Sequence, residues 1–284
     1  MFWQGSPASR RRAPHFSPGA GERTAHVADD RRPAPADAVA MTNSPLMIET
    51  RGLTKLFGQH TAVTDLNLQV PRGCAFGFLG HNGAGKTTVI RLLLGLIRPD
   101  QGTILIAGRR VADDRERVLA RVGAIIEEPH FHAHLTGREN LHVIAAVKGG
   151  EAETRIESAV ARVDLNARAD DRVGTYSQGM RQRLGIARCL LADPELLILD
   201  EPLNGLDPGG ILEMRMLIRD LVAEGRTVFL SSHLLDEIEK TCHEAAVIDR
   251  GRLIAQGPIA ELVGDRGSLE ERFLQITSRM GGPS

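Results

Sequence analysis

The chain is poor in lysine: Lys55, Lys86, Lys148 and Lys240 stand among 35 basic residues, and all the others are arginine. A lysine here therefore marks a place that needs a compact charge on a flexible stem rather than a planar fork. Net charge is equally scarce, −1 over 284 residues. Binding to a phosphate backbone rests on a strongly basic face, so no nucleic-acid partner is expected. No stretch approaches the roughly 18 consecutive apolar residues that cross a bilayer, so any transmembrane work is expected from another polypeptide. Cysteine is limited to Cys74, Cys189 and Cys242, widely separated in apolar or helical surroundings. That pattern argues against a disulfide framework or a cysteine metal site, and all three read as reduced structural thiols.

With 42% hydrophobic and 25% charged residues, the composition is that of an ordinary globular protein. The length suits one domain of ~220 residues plus appendages. Residues 1–46 are rich in Pro, Ala, Arg, Ser and Gly without hydrophobic period, and are expected to be a disordered tail. Arg10, Arg11 and Arg12 are not followed by an apolar core, so they do not read as an export signal. Met41 and Met47 both precede the first patterned segment and are alternative starts that N-terminal mass spectrometry would distinguish.

Alternating segments at Ile48–Thr50, Ala62–Val70 and Thr103–Ile106 predict edge or antiparallel strands. The apolar run Cys74–Leu79 predicts a buried strand and Lys86–Ile97 a helix. Thr136-Gly137-Arg138-Glu139 has capping-box spacing and opens a helical pattern that runs to Leu165, a helical insert. Helices over 178–192, 210–223 and 234–241 then alternate with strands Leu196–Leu199 and Thr227–Leu230. Ala245–Asp249 and Leu253–Ala255 form a hairpin around Arg250-Gly251, and a largely parallel α/β sheet results. Ser268 opens a short closing helix whose face is Leu269, Phe273 and Ile276.

Between the apolar strand and the first helix lies Gly80-His81-Asn82-Gly83-Ala84-Gly85-Lys86-Thr87-Thr88. Gly, four residues, then Gly-Lys-Thr is the spacing of a phosphate cradle, in which backbone N–H groups curl around a nucleoside triphosphate. Lys86 places a positive charge near the β- and γ-phosphates, and the Thr87 hydroxyl suits a magnesium ion that keeps most of its water. Asp200 and Glu201 follow the apolar strand Leu196–Leu199 at the end where α/β sheets bind ligands. Asp200 suits the magnesium ion, and Glu201 suits polarisation of the water that attacks the γ-phosphate. His233 ends the next strand, within plausible reach of that phosphate. Ser177 precedes the helix 178–192, whose free N–H groups make a second anion site.

At this point the sequence closely resembles the ATP-binding cassette (ABC) superfamily, over residues 47–276 and with its motifs in order. Tyr176-Ser177-Gln178-Gly179-Met180 resembles the signature motif, departing from it at Tyr176, Gln178 and Met180. Phe57 resembles the aromatic that stacks on adenine, Asn204-Gly205-Leu206-Asp207 the loop after the acidic pair, and His233 the switch histidine. Glu127 stands where the family usually has a Gln that touches magnesium, and it adds negative charge beside the phosphates. Ile125-Ile126-Glu127-Glu128-Pro129 with Leu135-Thr136-Gly137-Arg138-Glu139-Asn140-Leu141 is similar to ATPases of bacitracin, lantibiotic and anthracycline exporters.

The resemblance implies a P-loop NTPase of α/β class, with a RecA-like core, an N-terminal antiparallel β subdomain and a helical insert over about 128–180. The ATPase domain would run over 47–265, and 266–284 would form the closing helix and tail. It further implies ATP and a magnesium ion as ligands, and a head-to-tail homodimer or heterodimer in which Ser177, Gln178, Gly179 and Met180 of one copy cover ATP held by the other. A separate permease would dock on residues 128–175, at the cytoplasmic face of a bacterial membrane, and export a drug, antibiotic or peptide.

Other readings remain at this level. An importer ATPase is one alternative. An ABC protein acting on ribosomes would normally carry two cassettes in tandem, and one acting on DNA ends long coiled coils; this sequence has neither. A phosphotransferase would not need the signature helix, Glu201 and His233 together. His130, His132 and His134 alternate and would share a face on a strand, as metal ligands do, but without a fourth ligand they read as a solvated loop.

Overall fold

The computed structural model describes residues 45–264 and 267–280, with side chains as far as Leu274. The expected tail lies almost wholly outside these residues, as does the side chain of Ile276. Three strands come first, β1 (Leu46–Phe57), β2 (His60–Leu66) and β3 (Gln69–Pro71), then β4 (Ala75–Leu79) and α1 (Lys86–Leu93). β5 (Gln101–Ile106) and the two-residue β6 (Arg109–Arg110) lead through α2 (Arg115–Leu119) to β7 (Val122–Ile125). Helices α3 (Gly137–Lys148), α4 (Ile156–Arg162) and α5 (Gln178–Leu190) follow. The chain then alternates through β8 (Leu196–Asp200), α6 (Pro208–Ala223), β9 (Thr227–Ser232) and α7 (Leu235–Thr241). The hairpin of β10 (Glu244–Asp249) and β11 (Arg252–Pro258), then α8 (Ile259–Val263) and α9 (Leu269–Met280), complete it.

Two sheets result. The first is antiparallel, ordered β2-β1-β5-β6, with β3 also paired to β1. The second is ordered β11-β10-β4-β9-β8-β7 and is parallel except for β11. In β4 and through Leu199 of β8 the sequence is an unbroken apolar run because both faces are covered. In β4, Phe76 and Phe78 face the core shared with the antiparallel sheet, whereas Ala75 and Leu79 face the core beneath the helices. In β8, Leu196 and Ile198 oppose Leu197 and Leu199 in the same way. Phe229 of β9 packs between Phe76 and Phe78, with ring centroids 5.9 and 5.4 Å away.

The structure bears out the expected β4, α5, β8, β9, α7 and the β10–β11 hairpin, with shifts of one to three residues at their ends. Four readings need correction. Ala62–Val70 is two strands, because β1 is long enough to pair β2 with one half and β3 with the other. The helix from Lys86 stops at Leu93 rather than Ile97, where Arg91 O accepts from Leu96 N and closes the turn. The helical stretch to Leu165 breaks after Lys148 at Gly149 and resumes through a 3₁₀ turn into α4. Val122–Ile125, not anticipated as a strand, forms the sheet edge at β7.

The capping box at Thr136 is present in full: Glu139 N donates to Thr136 Oγ1 (3.1 Å) and Thr136 N to Glu139 Oε2 (2.7 Å). The Thr136 backbone N–H first, and the Thr136 hydroxyl second, hold the Glu139 carboxyl below its ordinary range. Burial pushes the Cys74 and Cys189 thiols up to about 11 and raises Cys242 further, so all three stay protonated at neutral pH, as structural thiols should.

Candidate functional site: a phosphate groove at the strand ends

β4 delivers the chain to the C-terminal edge of the parallel sheet, where Gly80 opens the loop. A Cβ on Gly80 would lie 2.6 Å from the Ile248 carbonyl oxygen, so only glycine fits against β10. Gly85 is the N-cap of α1 at φ +104°, a left-handed conformation that side chains resist. His81, Asn82, Gly83, Gly85, Lys86, Thr87 and Thr88 line a groove of about 260 Å³. Gly80 and Ala84 are buried behind it. Backbone amides at the start of α1 aim their dipoles into this groove, which favours an anion.

Lys86 is 6% exposed, and its Nζ donates to Gly80 O (2.6 Å) and His81 O (3.3 Å). The same Nζ lies 3.1 Å from Glu201 Oε1. Glu201 Oε2 lies 2.8 Å from His233 Nδ1, so an ionised carboxylate there requires the Nδ1–H tautomer. Beside them Thr87 Oγ1 donates to Asp200 Oδ2 (2.9 Å), and the buried Ser231 hydroxyl donates to Asp200 Oδ1. Glu201 N donates to Ser231 Oγ at 3.0 Å. Five sequence-predicted residues, Lys86, Thr87, Asp200, Glu201 and His233, thus form one connected polar cluster.

Two carboxylate residues here have backbones that most side chains avoid. Glu201 has φ +49° and Glu127 φ +60°, each just past the end of a strand. Strain of this kind persists only where the surrounding structure over-determines it, and it gathers at functional sites. Glu127 does not line the groove. Its Oε1 accepts from Arg91 Nη2 of α1 at 2.8 Å, so the added negative charge meets a cation on the very helix that starts at Lys86. Both side chains are largely exposed, so the pair contributes ~0–1 kcal/mol and acts chiefly on local charge.

Sequence reasoning missed three residues. His60 lines the groove and pairs across a two-residue turn with Phe57, so both side chains share a face. That pairing brings Phe57, 50% exposed and beneath Lys55 Nζ at 5.4 Å, next to the phosphate groove. The hairpin was the available signal. Ser231 was detectable as a polar residue directly after the apolar run Val228–Leu230, whereas Arg91 carries no local signal.

Ser177, Gln178, Gly179 and Met180 do not line the groove. Ser177 is the exposed N-cap of α5, its Oγ accepting from Met180 N at 3.2 Å, and Gln178 Nε2 donates to Asn204 O at 3.1 Å. Tyr176, the first departure from the signature pattern, is buried with its hydroxyl donating to Arg168 O at 2.7 Å. The Tyr176 ring therefore serves as a core anchor at the start of this motif. Ser177→Ala is expected to remove the cap and cost about 1 kcal/mol of folding free energy. A thermal melt should show this as a fall of about 2–4 °C.

His130, His132 and His134 lie in an exposed loop rather than on a strand, with the rings of His132 and His134 centred 5.8 Å apart. Among the described residues no group of three His, Cys, Asp or Glu side chains is placed to hold a metal ion. No helix among them is long and apolar enough to cross a membrane.

Comparison with known proteins gives the family. The ABC transporter family profile matches residues 63–204. The bacitracin transport ATP-binding protein BcrA of Bacillus licheniformis is 48% identical over 217 residues, 76% of this chain and 71% of that protein. Its namesake in Enterococcus faecalis is 44% identical, over 76% of this chain and 70% of that protein. A solved structure described as the ATP binding subunit of an ABC transporter superposes with a TM-score of 0.71 at 32% identity, covering 81% of this chain and 99% of its own. The chain belongs to the ABC transporter family, as an ATP-binding subunit.

Proposed function

We propose that this chain hydrolyses ATP at the groove and, as a pair of identical copies, drives a separate permease that exports an antibiotic or peptide-like compound. The observation that carries the hydrolytic reading is the single carboxylate of Glu201 held between Lys86 Nζ and His233 Nδ1. Lys86 and the α1 amides bind the triphosphate, Phe57 takes the adenine face, and His60 lies between them. Glu201 accepts a proton from the water whose oxygen attacks the γ-phosphorus, and the bond from that phosphorus to the β–γ bridging oxygen breaks, leaving ADP and inorganic phosphate. His233 orients Glu201 and stands beside the γ-phosphate.

Thr87 and Asp200 supply a hydroxyl and a carboxylate oxygen from neighbouring side chains, a hard-oxygen donor set that fits a magnesium ion. Such an ion would neutralise charge on the β- and γ-phosphates. Glu127 is proposed to act on that site only through water.

The dimer follows from incompleteness. The capped N-terminus of α5 offers a second anion site outside the groove, and a head-to-tail partner would bring its Ser177 and Gly179 over the open phosphates. Export is supported by the relatives, which are bacitracin transport proteins by name.

A cleft of about 650 Å³ between α2 and the helical insert suits the permease. Arg115 and Glu116 of α2 and Lys148 and Arg155 of the insert line it, a cationic balance that fits an acidic segment. This would place the subunit on the cytoplasmic face of the membrane. Co-expression with the membrane protein of the neighbouring reading frame is expected to recover the two together, and Lys148→Glu to cut recovery about tenfold or more. Recovery with ribosomes instead would overturn the transport reading.

A further inference from the structure

We propose that Phe273 of α9 is a positioning residue for ATP binding: it fixes His81 and, through the His81 carbonyl, the ammonium of Lys86. The inference rests on the reading of the groove as the ATP site. α9 lies nearly 190 residues beyond the phosphate loop in the chain, yet Phe273 meets the His81 imidazole edge-on, with centroids 4.7 Å apart and planes at 74°. Leu269 and Phe273, one helical turn apart, are 1% and 3% exposed in the core that also holds Ile238, Val247 and Ile259. Leu269 N donates to Glu239 Oε2 of α7 at 3.0 Å. α9 is thus seated on the helix that follows His233, and it reaches the phosphate loop from that seat.

His81 is exposed on the groove side, so its own burial does not hold it. Its carbonyl oxygen accepts from Ala84 N (3.0 Å) and from Lys86 Nζ (3.3 Å). A ring contact that fixes the His81 side chain therefore fixes the carbonyl that helps aim Lys86. The loop spacing alone does not require this contact, which comes from the far end of the fold. Edge-to-face aromatic pairs supply specific geometry beyond burial, so their loss should be readable in ATP affinity.

The test is a double-mutant cycle on the full-length chain, with the ATP dissociation constant measured by titration calorimetry and folding by thermal melt. Phe273→Leu keeps the apolar volume and removes the ring. It is expected to weaken ATP about three- to tenfold, with the loss in binding rather than in turnover at saturation. Phe273→Tyr should restore binding. His81→Ala should weaken ATP alike, and Phe273→Leu should add little in that background. Reciprocal linkage also requires ATP to slow hydrogen exchange over 269–274 in the unmutated chain, a measurement independent of whether any variant folds. Multiplicative effects of the two substitutions, a lowered Tm with unchanged ATP affinity, or exchange in α9 indifferent to ATP would each overturn the proposal. Should Lys86→Ala also leave ATP binding untouched, the reading of the groove fails instead.

Discussion

Glu201→Gln is expected to slow ATP hydrolysis by about 10²–10⁴-fold, the usual contribution of a positioned general base, while ATP binding holds or tightens. The structure gives the reason for the asymmetry. One oxygen of Glu201 is 3.1 Å from Lys86 Nζ and the other 2.8 Å from His233 Nδ1, so the carboxylate occupies the cation that the triphosphate needs. An incoming γ-phosphate must compete with it. Glutamine keeps the shape of the side chain and removes the charge, so Lys86 is released to the phosphate while the proton acceptor is lost. Phosphate-release assays and ATP titrations on the same preparation separate the two effects. A variant that hydrolyses normally would remove Glu201 from its role.

The second large effect is expected at Lys86. Lys86→Ala deletes an ammionium-type donor whose charge-assisted bonds are worth roughly 1.5–3 kcal/mol, so ATP affinity should fall about 100-fold. The loss should exceed that of the contact itself, because Glu201 is only 23% exposed and would be left as an uncompensated anion facing the phosphates. Two consequences can be separated by equilibrium binding. The single substitution abolishes detectable binding at moderate ATP, and Lys86→Ala with Glu201→Gln recovers part of it. If the double substitution binds no better than Lys86→Ala alone, the competition between carboxylate and phosphate is not operating.

Much of this site was legible because its residues stand at fixed spacing or directly at strand ends. Gly80 to Thr88, Asp200 with Glu201, and His233 each follow a strand of the parallel sheet. The strand order β4-β9-β8 then makes them neighbours in space. The apolar runs Cys74–Leu79 and Leu196–Leu199 are the sequence signal of the buried strands β4 and β8.

What stayed hidden depends on contacts between distant segments. β7 is four residues long with a glycine in it, too short for a period to register, yet it ends just before Glu127. The pairing of Glu127 with Arg91 joins the loop after β7 to α1, and neither residue alone signals the other. Likewise Phe273 reads locally as one apolar position on an amphipathic helix, and only the fold brings its ring to His81. The break at Gly149 was within reach, since a Gly-Gly pair inside a helical pattern is a stop signal.

On the proposed reading, the groove in one chain is half of a site that a second copy completes. Sedimentation of the full-length Glu201→Gln chain with and without ATP and magnesium tests this directly. The prediction is a monomer without nucleotide and a dimer holding two ATP molecules with it, with the dimer lost when Ser177 is replaced by arginine. A chain that binds ATP at saturation and remains a monomer would contradict it.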